Sequence, residues 1–441
     1  MLSIGIERGT NYDPQKPITA LTSLECVEPE IQSLHNACNQ WEENFTVTKI
    51  AQGSYATILR MQMKDEPDVY TVWKLVPLKN KTGKGCRALD QTFIEDAAAE
   101  VKALALMAEI EGFVEFRSAR VLRGSMPPLL QGLNTHWQIS HPDEETETKY
   151  SKEQQWLLVE MSDAGTDLET LIKKGFSVGE LLPIAEKGVK LTIQQTLDIF
   201  WATAEALARG EALANFEHRD LHPGNICISK RTTPPADPNQ HTVQKHTDLE
   251  VTIIDYTLSR ATLENGEVLA NSMKDGSIFE QSSLDPTDDR QYGMYRHMRS
   301  LIDSDPSVPQ ERKWHQYVPM TNIIWLYHIL KYLLDNTAPF PKKQPRKAPT
   351  ISPEERKMNK HLAQILARMD PVDVSEWRYR SAADVVGEEV AFENGIGHAL
   401  SSSSDISDVR DGSVTVVEYR RAMLSTRRGD GRRRRDGGVV G

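Results

Sequence analysis

The chain is poor in cysteine: Cys26, Cys38, Cys86 and Cys227 are its only four. They show no paired metal-ligand spacing, so neither a disulfide framework nor a zinc site is indicated. Each reads as a small apolar filler or a free thiol of a reducing compartment. Long apolar runs are missing as well. None approaches the roughly 18 residues that a membrane-spanning helix needs. Residues 1–17 carry acids and prolines without the apolar core of a signal peptide, which leads us to expect a soluble, intracellular protein. Positive charge is also short, with 52 lysines and arginines against 63 acids, a formal net charge of −11. That deficit argues against a general nucleic-acid binder and permits an acidic groove for a basic partner. Hydrophobic residues make up only 39% of the chain, so part of it is expected to stay unpacked.

What is present concentrates first in His218-Arg219-Asp220-Leu221-His222-Pro223-Gly224-Asn225. This matches H-R-D-L-x-x-x-N, the catalytic-loop pattern of protein kinases. With five fixed positions, a chance match in a chain of this length has a probability of roughly 10⁻⁴. The spacing has a chemical reason. Asp220 can accept the proton of an attacking hydroxyl, and Asn225 can reach a magnesium ion held between phosphates. Ile226, Cys227 and Ile228 then read as a short buried strand that fixes the loop. The chain is long enough for a two-lobed enzyme of about 300 residues with extensions.

Other kinase parts follow in the expected order. Residues 45–60, FTVTKIAQGSYATILR, read as strand, turn and strand. A kinase glycine loop has the pattern G-x-G-x-x-G-x-V; here only the middle glycine, Gly53, survives. Ile50, Gly53, Ser54 and Ile58 are its candidate nucleotide contacts, although alone the segment reads better as an ordinary hairpin. Residues 70–76 form a β-rich segment carrying Lys74, at the place of the lysine that grips the α and β phosphates. A solvent-facing strand lysine is the plainer alternative. Residues 92–110 have helical spacing, with Glu100 the candidate partner of Lys74 and Glu95 the second choice. Residues 118–130 predict a strand and a turn at Pro127-Pro128, and 138–152 a polar loop. Residues 156–161 predict a buried strand leading to the junction between lobes. There Met161 guards the adenine pocket, Ser162, Asp163 and Ala164 form the hinge, and Asp167 faces the ribose. Asp167 is also placed to cap the next helix.

Residues 194–216 predict an amphipathic helix feeding the catalytic loop. An insertion over 231–248 holds His241 and His246, without the partners a metal site needs. Residues 250–255 predict a strand ending in Asp255, the second magnesium position. Kinases usually continue Asp-Phe-Gly; here Tyr256 and Thr257 follow. The Ala-Pro-Glu triplet is absent downstream. Residues 314–335 include a helix apolar on nearly all sides, and 353–369 predict another. From about residue 387 the composition shifts to Gly, Ser, Arg and Asp. Residues 410–441 hold nine arginines against four acids, which reads as a disordered basic tail.

IIDYTLSR (253–260), preceded by FEHRDLHPGNICI (216–228), resembles the haspins, atypical protein kinases. GTDLE (165–169), GFVEFRSARVLRGSMPPLL (112–130), YRHM (295–298) and NIIWLYHIL (322–330) resemble the same family. The resemblance implies a serine/threonine kinase using ATP and magnesium, acting on a threonine near the amino terminus of histone three. It also implies a chromosomal, nuclear location, a role in mitosis and an activation segment that needs no phosphorylation. Carried over by position, Asp167, Glu169, His222 and Asp275 are the candidate substrate contacts. Two departures stand out: the thin glycine loop, and Met273-Lys274-Asp275-Gly276 where the family has a more acidic cluster.

The expected fold is therefore α+β, a two-lobed protein kinase with an atypical activation segment. Its divisions are an extension (1–44) partly docked on the N-lobe, the N-lobe (45–161), the C-lobe (162–385) and a basic tail (386–441). Lys74 and Glu100 position ATP, Asp220 acts on the substrate hydroxyl, and Asn225 and Asp255 hold Mg²⁺. The expected partner is the histone-three tail in chromatin. A monomer is expected, without sequence-specific nucleic-acid binding or membrane contact, located on chromosomes and also in the cytoplasm. The rival readings are a pseudokinase binding module and a small-molecule kinase.

Overall fold

Alternation of large apolar and polar residues along residues 57–77 is realised as two paired strands in the computed structural model. It describes residues 16–53, 56–79, 91–142, 149–174, 190–231, 247–271, 273, 276–338, 352–372 and 377–393. The chain divides into two compact units, Met1–Ala105 with Glu115–Asp163, and Leu106–Val114 with Ala164–Gly441.

The first unit contains α1 (Lys16–Thr22), β1 (Val27–Ser33), α2 (Leu34–Asn44), β2 (Phe45–Gln52), β3 (Thr57–Met63) and β4 (Tyr70–Pro77). It continues with α3 (Ile94–Met107), β5 (Phe116–Arg123), α4 (Pro128–Ser140) and β6 (Gln155–Ser162). The strands form one sheet in the order β1-β5-β6-β4-β3-β2. The β1–β5 pair is parallel and the other pairs are antiparallel. Strand period two puts Leu59, Met61, Trp73, Leu75 and Leu158 on one face, where Ala37, Cys38 and Trp41 of α2 and Leu130 of α4 cover them. Each such large apolar side chain contributes about 1.5–3 kcal/mol on burial. Residues 27–44 are thus built into the sheet and its core. Pro127-Pro128 opens helix α4, with Pro at N1/N2, where a turn was expected. Proline's fixed φ suits a helix start, where its missing N–H leaves no bond unmade.

The second unit contains β7 (Thr166–Asp167), α5 (Leu168–Lys174), α6 (Ile193–Ala214), β8 (Ile226–Lys230), β9 (Leu249–Ile253), β10 (Arg260–Thr262) and β11 (Val268–Ala270). Helices α7 (Pro286–Asp303), α8 (Met320–Asp335), α9 (Pro353–Arg368) and α10 (Ala382–Glu393) complete it. Strands β7, β8 and β9 form a small antiparallel sheet, and β10 pairs with β11. Thr192 and Gln195 form a capping box that starts α6, and Asn215, at φ 44°, ends it. The helix is buried over most of its surface, beyond the single stripe read from its sequence. The cause is that α8, α9 and α10 all pack on it. Helix α8 is buried on nearly all sides, as its composition predicts. Helix α10 runs to Glu393, inside the segment assigned to the basic tail. The apolar face of Val385 and Val386, fully buried, explains the helix where Gly and Asp content masked it.

Candidate active site

In the first unit, Trp73 and Leu75 face the core, so Lys74 between them points to the opposite face of the sheet. There its Nζ meets Oε1 of Glu100 at 2.6 Å. Glu100 lies on the buried face of α3, near Ala97, Val101 and Leu104, whereas Glu95 is exposed in the first turn. Of the two candidate partners it is Glu100 that pairs. Ile58 sits opposite Lys74 in the β3–β4 register. The β2–β3 pairing jumps between Lys49 and Ala51, so Ile50 is the extra residue of a bulge and is exposed. Gly53 N–H donates to the Ala56 carbonyl at 2.8 Å and closes the turn. An added Cβ on Gly53 would find ordinary contacts from 3.6 Å outward. Ser54 lies outside the described residues. Met161 and Ser162 end β6, where Ser162 N–H donates to the Glu115 carbonyl at 3.0 Å. Asp163 accepts from Nε of Arg60 at 2.7 Å.

The second unit holds the catalytic loop in a dense polar frame. The His218 N–H donates to Oδ1 of Asn322 at 3.0 Å, and its Nε2 lies 3.0 Å from the Ile254 carbonyl. Its Nδ1 accepts the Asp220 N–H at 3.3 Å. These partners fix one tautomer, and burial lowers the His218 pKa to about 4, so the ring stays neutral. Arg219, at φ 64° and fully buried, donates to Glu217 at 3.1 Å and to the carbonyls of Trp314 at 2.7 Å and Gln316 at 3.2 Å. Glu217 also accepts from Val318 N–H and the Thr321 hydroxyl, each at 2.8 Å. The Asp220 backbone carbonyl accepts from Nδ2 of Asn225 at 2.8 Å. Its carboxylate Oδ1 accepts the Tyr295 hydroxyl. Burial raises the Asp220 pKa to about 6, with nearby His222 and the Tyr295 bond opposing. His222 caps the short turn Pro223–Asn225 through Nδ1, which accepts the Gly224 N–H at 3.1 Å. A Cβ on Gly224 would sit 2.7 Å from the His222 ring, so a side chain here would have to displace that ring.

Asp255 follows β9 with φ 60°. Its Oδ1 accepts both the N–H and the hydroxyl of Thr257, at 3.1 and 2.6 Å. Ile254 N–H donates to the Asn225 carbonyl at 3.0 Å, which ties this strand end to the catalytic loop. Tyr256 turns inward against Phe113, Phe216 and His218. Its hydroxyl donates to the Ile253 carbonyl and accepts from Val114 N–H. The donor chemistry fits magnesium. Asn225 spends its amide nitrogen on Asp220, which leaves an oxygen as its ligand atom, and Asp255 supplies a carboxylate. Among the described residues no cluster of three or more His, Cys, Asp or Glu could hold a metal alone. Two oxygen ligands are the set expected for an ion that takes its remaining ligands from phosphates and water.

Of the substrate candidates, Asp167 accepts Thr170 N–H at 2.8 Å and so caps α5. Glu169 pairs with Lys173 at 2.5 Å, and its Oε2 lies 3.5 Å from where a Cβ on Gly224 would be. Gly165 admits no side chain, since a Cβ there would lie 2.3 Å from the Ile228 carbonyl at φ 95°. Ala164 precedes it, partly buried. The Lys173 pKa is raised first by its bond to Glu169, with the charges of Glu169, Asp288 and Asp285 adding to it, so these carboxylates share the surroundings of Lys173. Asp275 lies outside the described residues. Sequence reasoning missed Glu217, Asn322 and Tyr295 as parts of the site. All three stand in segments that carry the resemblance, FEHRDLHPGNICI, NIIWLYHIL and YRHM, but local spacing does not reveal a distant partner.

A β-rich unit carrying a Lys–Glu pair, with a helical unit carrying the catalytic loop and an acid-ended strand, defines a protein-kinase fold. The family model described as Haspin like kinase domain matches residues 18–386, and the chain belongs to that family. It is 25% identical over 362 residues to the serine/threonine-protein kinase haspin homolog hrk1 of Schizosaccharomyces pombe, covering 76% of this chain and 63% of that one. It is 26% identical to the serine/threonine-protein kinase haspin homolog of Drosophila melanogaster, covering 68% of this chain and 50% of that one. To the serine/threonine-protein kinase haspin of Bos taurus it is 27% identical, covering 51% of this chain and 26% of that one. The chain thus spans between 26% and 63% of the length of these relatives.

Proposed function

We propose that the chain is an ATP-dependent serine/threonine protein kinase. Its substrate in this reading is a threonine near the basic amino terminus of histone three, on mitotic chromosomes in the nucleus. Lys74, held by Glu100, binds the α and β phosphates. Asp220 accepts the proton of the attacking threonine hydroxyl. Asn225 and Asp255 hold Mg²⁺, which when bound neutralises charge on the phosphates. The rest is positioning: phosphoryl transfer needs reactants held in line more than covalent help from the protein. The observation that carries the reading is the catalytic loop itself. His218, the Asp220 N–H and carbonyl and the Asn225 amide nitrogen hold the loop, and Oδ1 of Asp220 accepts the Tyr295 hydroxyl, which leaves Oδ2 of Asp220 and the Asn225 side-chain oxygen for chemistry. The grouping of Glu169, Asp285 and Asp288 around Lys173 supports a basic peptide as substrate.

The test is transfer from labelled ATP to threonine peptides that are basic, neutral or acidic. A basic histone-three amino-terminal peptide should be preferred, and Asp220→Asn should reduce kcat by roughly 10²–10⁴-fold with ATP binding intact. Equal use of all three peptides would remove the substrate assignment. Nucleotide binding without transfer to any protein acceptor would favour the binding-module reading.

A further inference from the structure

We infer that Tyr295 is a positioning residue for phosphoryl transfer: its hydroxyl holds Oδ1 of Asp220, so that Oδ2 is the oxygen turned to the substrate hydroxyl. This rests on the reading of Asp220 as the proton acceptor. Each part of Asp220 has its own holder. Its N–H donates to His218, its carbonyl accepts from Asn225, and among the described residues Tyr295 is the one side chain bonded to its carboxylate. A carboxylate without a side-chain partner rotates about its last torsion, which is broad and roughly two-fold. One fixed donor on one oxygen removes that freedom.

Tyr295 is suited to this because it is itself held. It is buried on α7, and its ring meets Trp325 of α8 edge-on, with centroids 5.0 Å apart. Gln291, one turn earlier on α7, donates to the Tyr295 oxygen at 3.4 Å. That bond takes up the oxygen's acceptor side and leaves the proton for Asp220. The other side chain near at hand, His222, has its Nδ1 engaged by Gly224. In the transfer step the threonine oxygen forms a bond to the γ-phosphorus and the bond to the β–γ bridging oxygen breaks. The hydroxyl proton moves to Oδ2 of Asp220, and ADP departs. Tyr295 keeps its proton throughout.

The test uses the full chain, with Tyr295→Phe and Asp220→Asn side by side and a basic threonine peptide as acceptor. Tyr295→Phe keeps the ring against Trp325. It should lower kcat roughly tenfold to a hundredfold while KM for ATP, KM for peptide and Tm stay near wild type. Wild-type kcat in Tyr295→Phe, with Asp220→Asn inactive, overturns the inference and leaves the kinase reading standing. A joint loss of kcat, both KM values and Tm also overturns it, since that is what a packing role produces. Full activity in Asp220→Asn overturns the reading beneath it. If Tyr295→Phe does not fold, 3-fluorotyrosine placed at 295 decides: the ring keeps its shape and the hydroxyl becomes a stronger donor. A changed kcat with unchanged KM supports the role of the hydroxyl, and an unchanged kcat overturns it.

Discussion

Thr257 stands where the commoner kinase triplet has glycine, and its hydroxyl bond to Asp255 at 2.6 Å gives the exchange a purpose. Glycine leaves the preceding acid free to swing; threonine fixes Oδ1 and so sets which oxygen faces outward. Thr257→Ala keeps the backbone N–H bond and removes the hydroxyl. Loss of one hydrogen bond to a charged group costs about 1.5–3 kcal/mol. The Mg²⁺ concentration for half-maximal rate should therefore rise roughly tenfold or more, with little change in Tm. Magnesium titration of initial rates checks this, and an unchanged requirement sinks it. At this scale much of the site is legible in the sequence. Lys74, Asp220, Asn225 and Asp255 sit at fixed offsets within short segments, so local spacing finds them. Glu100 over Glu95 follows from helix phase, since Glu100 shares the face of Ala97, Val101 and Leu104. Asn322 and Tyr295 act on residues far along the chain, and Glu217 joins its near neighbour Arg219 to the distant Thr321; no local pattern encodes those distant meetings.

The segment after β9 is an element held without help from phosphate. In many kinases a phosphorylated activation loop is ordered by arginine pairs formed with the new phosphate. Here Arg219 is already committed to Glu217 and to the carbonyls of Trp314 and Gln316. Tyr256 is locked among Phe113, Phe216 and His218, and Arg260 reaches the Asn215 carbonyl at 2.8 Å. Protein made in bacteria and treated with phosphatase should therefore have full activity; activity that appears only after an upstream kinase acts would refute this. Arg219→Met should act on stability instead, because it strands the buried Glu217 carboxylate, at a cost of about 3–5 kcal/mol in denaturant unfolding. Elements with a strong period or composition, such as α8 and the β2–β3 hairpin, could be read in advance. Helices α4 and α10 could not, because proline content and glycine content obscured them and their burial comes from tertiary partners. The parallel pairing of β1 with β5 joins distant segments and is likewise invisible to local pattern.

At the scale of the whole molecule, buried titratable groups gather in the second unit and should give its stability a distinctive pH dependence. Burial lowers the pKa of His218 to about 4 and of His328 to about 3. Their contribution is present above about 6.5 and is lost as pH falls through the folded values. Burial raises Asp220 to about 6 and Glu211 to about 8. Their contribution is present below the ordinary carboxylate range and is lost as pH rises through those values. Between roughly pH 4.5 and 6 the two pairs oppose each other and the curve should be nearly flat. Below that the histidines dominate, joined by Asp285 and Glu355, whose capping bonds to backbone N–H groups hold them below the usual range. Above 6.5 only Glu211 of these groups still titrates, so stability should fall by about 2 kcal/mol toward pH 8. Glu211 accepts from Asn322 at 2.9 Å and from Ala382 N–H at 3.0 Å, so it links α10 to the residue that holds His218. In the first unit, burial pushes the Cys26 and Cys38 thiols up, and they stay neutral throughout this range. Calorimetry from pH 4 to 8 should therefore find a fall above 6.5 in the transition of the second unit. Glu211→Gln keeps the shape of the side chain and removes its titration, and with it the alkaline fall should vanish. A fall of equal size in that variant would mean that another group carries the proton.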